Sequence, residues 1–315
     1  MLTIEDLAPA VRDAFGGARR LTGVERLTGG SKKGVYRLTL DDGATAVAYR
    51  WDRAENFWPE TAGDPADPFS SAGGLDHFLA ARAKLDDLGL RVPEVYLTGD
   101  DLAVVEDFPG ATLQDRLARD PAAAGPVVAR LAEGLAAMRG ARGPAYGKVA
   151  LVDGGGVSRE LSCERAVLAR ALRDLAEAAR RDRRIGDAEA GLHDRLHGLF
   201  AAVEPRDELS VVHGELGFDH VLVDASGEPV LIDAEGLLYF DVEWEHVFLR
   251  IRLNDDYRLV AAAGLDPRRM AFYLLAQRLS LVAGPLRLLD GEFPDREFMR
   301  GIAEHNLRMA LELRE

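Results

Sequence analysis

One cysteine, Cys163, stands in a chain of 315 residues. No internal disulfide is possible, so the fold must hold without cross-links, as proteins of reducing compartments do. Long apolar runs are missing too. None approaches the roughly 20 residues that a membrane helix needs, and no membrane partner is expected. Positive charge is scarce: 39 Lys and Arg face 53 Asp and Glu, for a formal net charge of −14 and a pI near 5.0. Such a surface repels a nucleic-acid backbone, so no nucleic-acid partner is expected. It is compatible with a cationic small molecule, and equally with plain solubility. The opening residues, Met1-Leu2-Thr3-Ile4-Glu5-Asp6, lack the basic start and apolar stretch of a signal peptide, which reads as cytoplasmic. No repeat or low-complexity tract occurs. What the chain has is 47% apolar residues, enough for a sizeable core.

The patterning changes character along the chain. Residues 3–16 read as a short helix, and 20–27, 35–40 and 45–50 as three strands, the last two joined by the hairpin signal Asp41-Asp42-Gly43. An irregular stretch carrying Trp51, Phe57, Trp58 and Phe69 follows. An amphipathic helix is expected over 75–88, then strands over 92–97 and 102–106. After Phe108-Pro109-Gly110, helical patterns dominate: 112–119, 122–139, 159–184 and 188–203, then 242–253, 267–282 and 296–313. These bracket short strand-like runs at 209–212, 221–223 and 230–232, the last two separated by the turn Asp224-Ala225-Ser226-Gly227. The class is α+β.

The polar punctuation of those short strands is the sharpest chemical signal. His213-Gly214-Glu215-Leu216, then Asp219-His220-Val221-Leu222-Val223, then Ile232-Asp233 after the hairpin, place carboxylates and imidazoles at strand ends, where a metal-phosphate site can be built. This segment resembles the catalytic loop and metal segment of the aminoglycoside phosphotransferase and choline kinase group. Glu215 stands where that group normally has its catalytic Asp, and His220 where it normally has a metal-binding Asn.

The resemblance implies a two-lobed protein-kinase-like fold, with a β-rich nucleotide-binding N-lobe over 1–107 and a mainly helical C-lobe over 108–315 that carries the catalytic loop and the acceptor site. It implies ATP or GTP with Mg2+, and transfer of the γ-phosphate to a hydroxyl of an aminoglycoside-, sugar- or amino-alcohol-like molecule. Within that frame the loop Gly29-Gly30-Ser31-Lys32-Lys33-Gly34 would cover the nucleotide phosphates. Arg50, closing Val47-Ala48-Tyr49-Arg50, would take the phosphate-holding place of the usual strand lysine. The backbone near Glu106 and Phe108 would meet the adenine edge. Glu215 would orient the acceptor hydroxyl, His213 would set the loop, and Asp233 would bind metal. Imidazole is a poor Mg2+ ligand, so His220 would either hydrogen-bond a phosphate or leave metal binding to Asp219. Asp241 would brace the loop and cap the next helix. With Glu243, Trp244 and Glu245 it would face the acceptor, an aromatic plate between carboxylates being a seat for a cation.

Two other readings compete. The changes at Glu215 and His220 fit a kinase-fold protein that binds nucleotide or ligand without transferring phosphate. His213, His220 and Asp233 could also hold Zn2+ or Mn2+ in a hydrolase, though that leaves the N-terminal strands and the Gly-rich loop without a role.

Overall fold

The computed structural model describes residues 2–28, 30–59, 64–70, 73–160 and 162–313. The chain divides into two compact units: Met1–Phe57, Ala72–Gly134 and Phe218–Glu235 in the first, and Trp58–Ser71, Leu135–Gly217 and Gly236–Glu315 in the second.

The first unit opens with α1 (Ile4–Phe15), started by a reciprocal cap in which Thr3 and Asp6 each accept from the other's backbone N–H. Strands β1 (Leu21–Arg26), β2 (Gly34–Leu40) and β3 (Thr45–Arg50) follow, then α2 (Leu75–Asp87), β4 (Val95–Thr98) and β5 (Leu102–Glu106). The five strands form one antiparallel sheet in the order β1-β2-β3-β5-β4. Strand alternation sorts its side chains. Tyr36, Leu38, Leu40, Ala46 and Ala48 pack with Leu7 and Val11 of α1 on one face. Val47, Tyr49, Ala103 and Val105 pack with Phe78 of α2 on the other. Arg50, two residues beyond Ala48, falls on the α1 side of β3.

Gly34 is required for space. A Cβ there would lie 2.7 Å from both the Glu55 carboxyl carbon and the Tyr36 ring. Glu55 is buried and accepts from Tyr36 Oη and, at 2.9 Å, from Arg26. Gly34→Ala should therefore destabilise the protein by about 1–3 kcal/mol, visible as a lower urea midpoint.

Helix α3 (Leu113–Arg119), the start of α4 (Pro121–Gly140) and a small hairpin complete this unit. In the second unit, β6 (Gly147–Lys148), α5 (Val149–Asp153), α6 (Cys163–Arg181) and α7 (Arg183–Ala201) precede β7 (Ser210–Val212). The single helix expected over 159–184 ends early because Asp182 is extended (φ −136°). Its carboxylate accepts from Arg184 N at 2.8 Å, capping α7. The hairpin of the first unit consists of β8 (Val221–Val223) and β9 (Pro229–Leu231). Then β10 (Leu238–Phe240) pairs with both β6 and β7, and α8 (Val242–Leu253), α9 (Pro267–Leu288) and α10 (Arg296–Glu312) close the chain. The core of the second unit joins Val167, Leu175, Ile185, Leu192, Trp244, Phe272 and Leu279. Cys163 is buried in it, and burial pushes its thiol pKa well up, with Asp241 adding to the effect. No helix among the described residues is long and apolar enough to cross a membrane.

Candidate active site

The hairpin β8–β9 turns at Asp224, whose Oδ1 accepts from Ser226 N at 2.8 Å and Glu228 N at 2.9 Å, with Gly227 at φ +84°. Ile232 N then donates to His220 O at 3.1 Å, which sets the two ends of the hairpin side by side. Asp233 follows in the left-handed region, at φ +61°, which an Asp tolerates better than most residues.

Lys33 comes to this point from the start of β2. Its Nζ lies 2.8 Å from Asp233 Oδ1 and bonds Glu235 Oε1. It also sits 4.8 Å from the centroid of the Tyr49 ring, on the α2 face of the sheet. Lys33 and Glu235 are each 7% exposed, while the Asp233 side chain keeps 46% of its surface. The Lys33 ammonium holds the Asp233 carboxyl well below the usual carboxylate range, with His220 and Lys32 acting in the same direction. Burial alone would push the Lys33 pKa down; Asp233 and Glu235 more than offset it, and the ammonium is held. His220 Nε2 stands 3.7 Å from Asp219 Oδ2 and 3.9 Å from Asp233 Oδ2, so two hard carboxylates share one imidazole. Among the described residues no three His, Cys, Asp or Glu side chains form a group that could hold a metal. A pair of carboxylates suits Mg2+, which keeps waters and takes phosphate oxygens beside one or two protein ligands.

Other residues expected at a nucleotide site lie as follows. Gly29 is outside the described residues. Gly30 is held tight, a Cβ there meeting Lys33 O at 2.5 Å. Ser31 O accepts from Phe57 N at 3.0 Å, and Lys32 is part-buried. At Gly34 the space expected for phosphate is taken by Glu55 and Tyr36, so its bareness serves packing. Arg50 does not join the Lys33 cluster: strand alternation sends it to the opposite face, where it meets Asp52 at 3.3 Å. The N–H of Glu106 is already donated to Glu94 O at 2.8 Å, and its carboxylate pairs with Arg91 at 2.6 Å. Phe108 is buried, with the Arg91 guanidinium 5.6 Å from its ring.

In the second unit, β7 delivers the loop His213-Gly214-Glu215. Glu215 is exposed between buried neighbours, His213 and Gly214 before it and Leu216 after it. The loop is braced by Glu245 of α8. Its Oε2 accepts from the N–H of His213 and, at 3.0 Å, from that of Gly214, which sits at φ +79°. Burial raises the Glu245 pKa, while His213 and the two N–H groups work against the rise. This bracing was expected of Asp241, and that expectation is corrected. Asp241 occupies the N-cap position of α8 but makes no cap bond. It is fully buried against Arg269, Tyr273 and Arg206.

The acceptor-facing roles of Asp241, Glu243 and Trp244 are corrected with it. Glu243 is fully buried and bonds Arg206 and, at 2.9 Å, Asp266 N. Trp244 packs against Phe69, Phe240 and Tyr273 at centroid distances of 4.9, 5.7 and 5.7 Å. The cation beside this aromatic cluster is the chain's own Arg170, 4.6 Å from the Phe69 ring. A helix start rich in Glu and Trp reads the same whether it faces a ligand or a buried arginine. Only the distant Arg206 and Arg269 decide it.

The same helix carries a buried imidazole, His246, whose Nδ1 lies 3.2 Å from Tyr257 Oη. Burial pulls its pKa down to about 4, and Arg139 adds to the shift. The unfolded chain takes up this proton near pH 6.5 and the folded one only near pH 4. The contribution to stability is therefore complete above pH 6.5 and shrinks as pH falls from there to 4, by about 3 kcal/mol. Between those pH values, His246→Phe should lose less melting temperature than the wild type; equal losses would contradict the assignment.

A family model described as "Phosphotransferase enzyme family" (APH) matches residues 23–290. No curated protein sequence matches the chain. Similar solved structures include aminoglycoside phosphotransferase APH(4)-Ia (17% identity, TM-score 0.61, covering 97% of this chain and 99% of that one). A thermostable mutant of it in ternary complex with ADP and hygromycin B matches at 18% and 0.58, covering 96% and 98%. Choline kinase LicA from Streptococcus pneumoniae matches at 13% and 0.64, covering 98% of each chain. Macrolide 2'-phosphotransferase type I matches at 19% and 0.59, covering 96% and 97%. At these identities the likeness establishes the fold, and the fold is the α+β, protein-kinase-like one expected from the sequence.

Proposed function

The chain belongs to the phosphotransferase enzyme family, and from that premise we propose that it moves the γ-phosphate of ATP or GTP to a hydroxyl of a small molecule of aminoglycoside, sugar or amino-alcohol type. The observation that carries this reading is the cluster of Lys33, Asp233 and Glu235, with Asp219 and His220 beside it, at the end of the β8–β9 hairpin. The ternary complex of an APH(4)-Ia mutant with ADP and hygromycin B supports a nucleotide donor and a small acceptor.

In this reading residues 1–107 bind the nucleotide and 108–315 carry the acceptor site. Lys33, with Lys32 and the loop from Gly29 to Gly34, neutralises phosphate charge. Lys33, in place of Arg50, is the phosphate-holding cation. Asp233 and Asp219 supply hard oxygens for Mg2+, which when bound offsets charge on the phosphates. His220 holds those carboxylates in place. Glu215 accepts a hydrogen bond from the acceptor hydroxyl and draws off its proton as the oxygen attacks, while the Glu245 brace fixes the loop beneath it. The γ-phosphorus–oxygen bond to the leaving diphosphate breaks as the new ester bond forms.

Thermal melting with ATP, GTP and ADP, each with Mg2+, tests the donor site, since a ligand of the folded state alone raises the melting temperature. Transfer of labelled γ-phosphate to a panel of hydroxyl compounds then tests the reaction. The competing reading, a binding protein without transfer, draws on Glu215 and His220, the two departures from the family pattern. It prevails if nucleotide binds and Glu215→Ala equals the wild type in both transfer and hydrolysis.

A further inference from the structure

Lys33 contacts the proposed metal carboxylate directly: its Nζ is 2.8 Å from Asp233 Oδ1, and it bonds Glu235 as well. Resting on the function proposed above, we infer that Lys33 is a displaceable internal counter-ion, which keeps bare divalent metal off Asp233 and gives that carboxylate up only when nucleotide phosphates arrive to receive the ammonium.

The argument is one of charge and burial. A divalent ion approaching Asp233 without nucleotide meets an ammonium already on the same carboxylate. Lys33 cannot simply move into water. It is 7% exposed, lies against Tyr49, and burial disfavours an unpaired ammonium. Withdrawing to Glu235 alone leaves a buried cation close to the incoming metal. Phosphate oxygens change this by offering the ammonium new acceptors, and Asp233 is then free for the metal. Each ligand removes an obstacle to the other, so the coupling is positive and must be reciprocal. Glu235 has a defined part as a positioning residue. Being buried and already bonded to Nζ, it keeps the ammonium in place while Asp233 is vacated. Arg50 cannot substitute, since it lies on the other face of the sheet, at Asp52.

The probe is Mn2+ alone, titrated into nucleotide-free protein and followed by the electron paramagnetic resonance of the free ion. Wild type should bind it with a Kd weaker than about 0.1 mM. Lys33→Met and Lys33→Gln should bind Mn2+ about 10-fold tighter or more, and adding Asp233→Asn should abolish that gain. Glu235→Gln, which leaves Lys33 wholly to Asp233, should bind Mn2+ no better than wild type. One-to-one Mn2+ binding to nucleotide-free wild type with a Kd tighter than about 0.1 mM would overturn the inference. So would Lys33 variants that bind Mn2+ no better than wild type. The wild-type titration stands even if neither Lys33 variant folds. ADP binding, measured in parallel, separates the two levels. Its absence removes the phosphotransferase reading, while the Mn2+ titrations still report on the counter-ion.

Discussion

Asp233→Asn should slow phosphoryl transfer by about 1,000-fold or more and leave the fold in place. The substitution is isosteric, and Asn accepts the left-handed backbone at φ +61° nearly as well as Asp. Lys33 keeps a carboxylate partner in Glu235, so no buried ammonium is orphaned. What disappears is one anionic oxygen donor, held ionised by Lys33 and half-exposed. Because the Asp233 side chain is half-exposed and the buried Lys33 keeps Glu235, melting should shift by only a few degrees. Alanine would be a poorer control, since it adds backbone strain to the loss of charge. Initial rates with labelled ATP, set beside a circular dichroism melt, check both halves of the expectation. A rate within about 10-fold of wild type would show that Asp233 does not serve the reaction.

Arg269→Met should be strongly destabilising. Arg269 is 1% exposed and bonds Asp241, Tyr273, Glu164 and the backbone oxygen of Glu204. Methionine fills much of the volume but leaves the fully buried Asp241 carboxylate with only Arg206 and Tyr273 to answer its charge, and Glu164 with none of that support. Removing one partner of a buried ion pair typically costs about 3–5 kcal/mol. In a chain of this size that lowers the melting temperature by on the order of 10 °C. Burial already raises the Asp241 pKa against the pull of Arg269, Tyr273 and Arg206, so protonation is its easiest escape. Adding Asp241→Asn to Arg269→Met should then recover part of the loss, a coupling that a double-mutant cycle reads directly. A loss below about 1 kcal/mol would mean that the cluster contributes little to the second unit.

The sequence carried the local elements well, because local physics sets them. The hairpin signals Asp41-Asp42-Gly43 and Asp224-Ala225-Ser226-Gly227 each mark an observed turn, and α8 runs over the expected residues 242–253. The short strands β7, β8 and β9 are legible from the polar residues and the turn that bound them, whereas β6 and β10, equally short and without such bounds, leave no periodicity to read. The site divided along the same line. His213, Glu215, Asp219, His220 and Asp233 stood out because polar residues interrupt apolar strands. Which face Arg50 takes depends on the sheet's partners, and its neighbour Tyr49 faces the site instead. Glu235 lies just past Ile232-Asp233, and its spacing of two from Asp233 is the one sequence signal that points to it. From sequence Glu245 reads as facing an acceptor, because nothing local distinguishes a carboxylate aimed at a ligand from one that holds two backbone N–H groups.

Cys163 has a practical consequence. Its thiol is enclosed by the core of the second unit and burial keeps it protonated, so maleimides and other thiol reagents should pass it by in the native protein. The natural chain is thus a near-silent background for labelling. One new cysteine on each compact unit would accept a matched pair of spin or fluorescent probes without first removing a native thiol. The distance between those probes, followed as nucleotide is added, would report any opening or closing in solution.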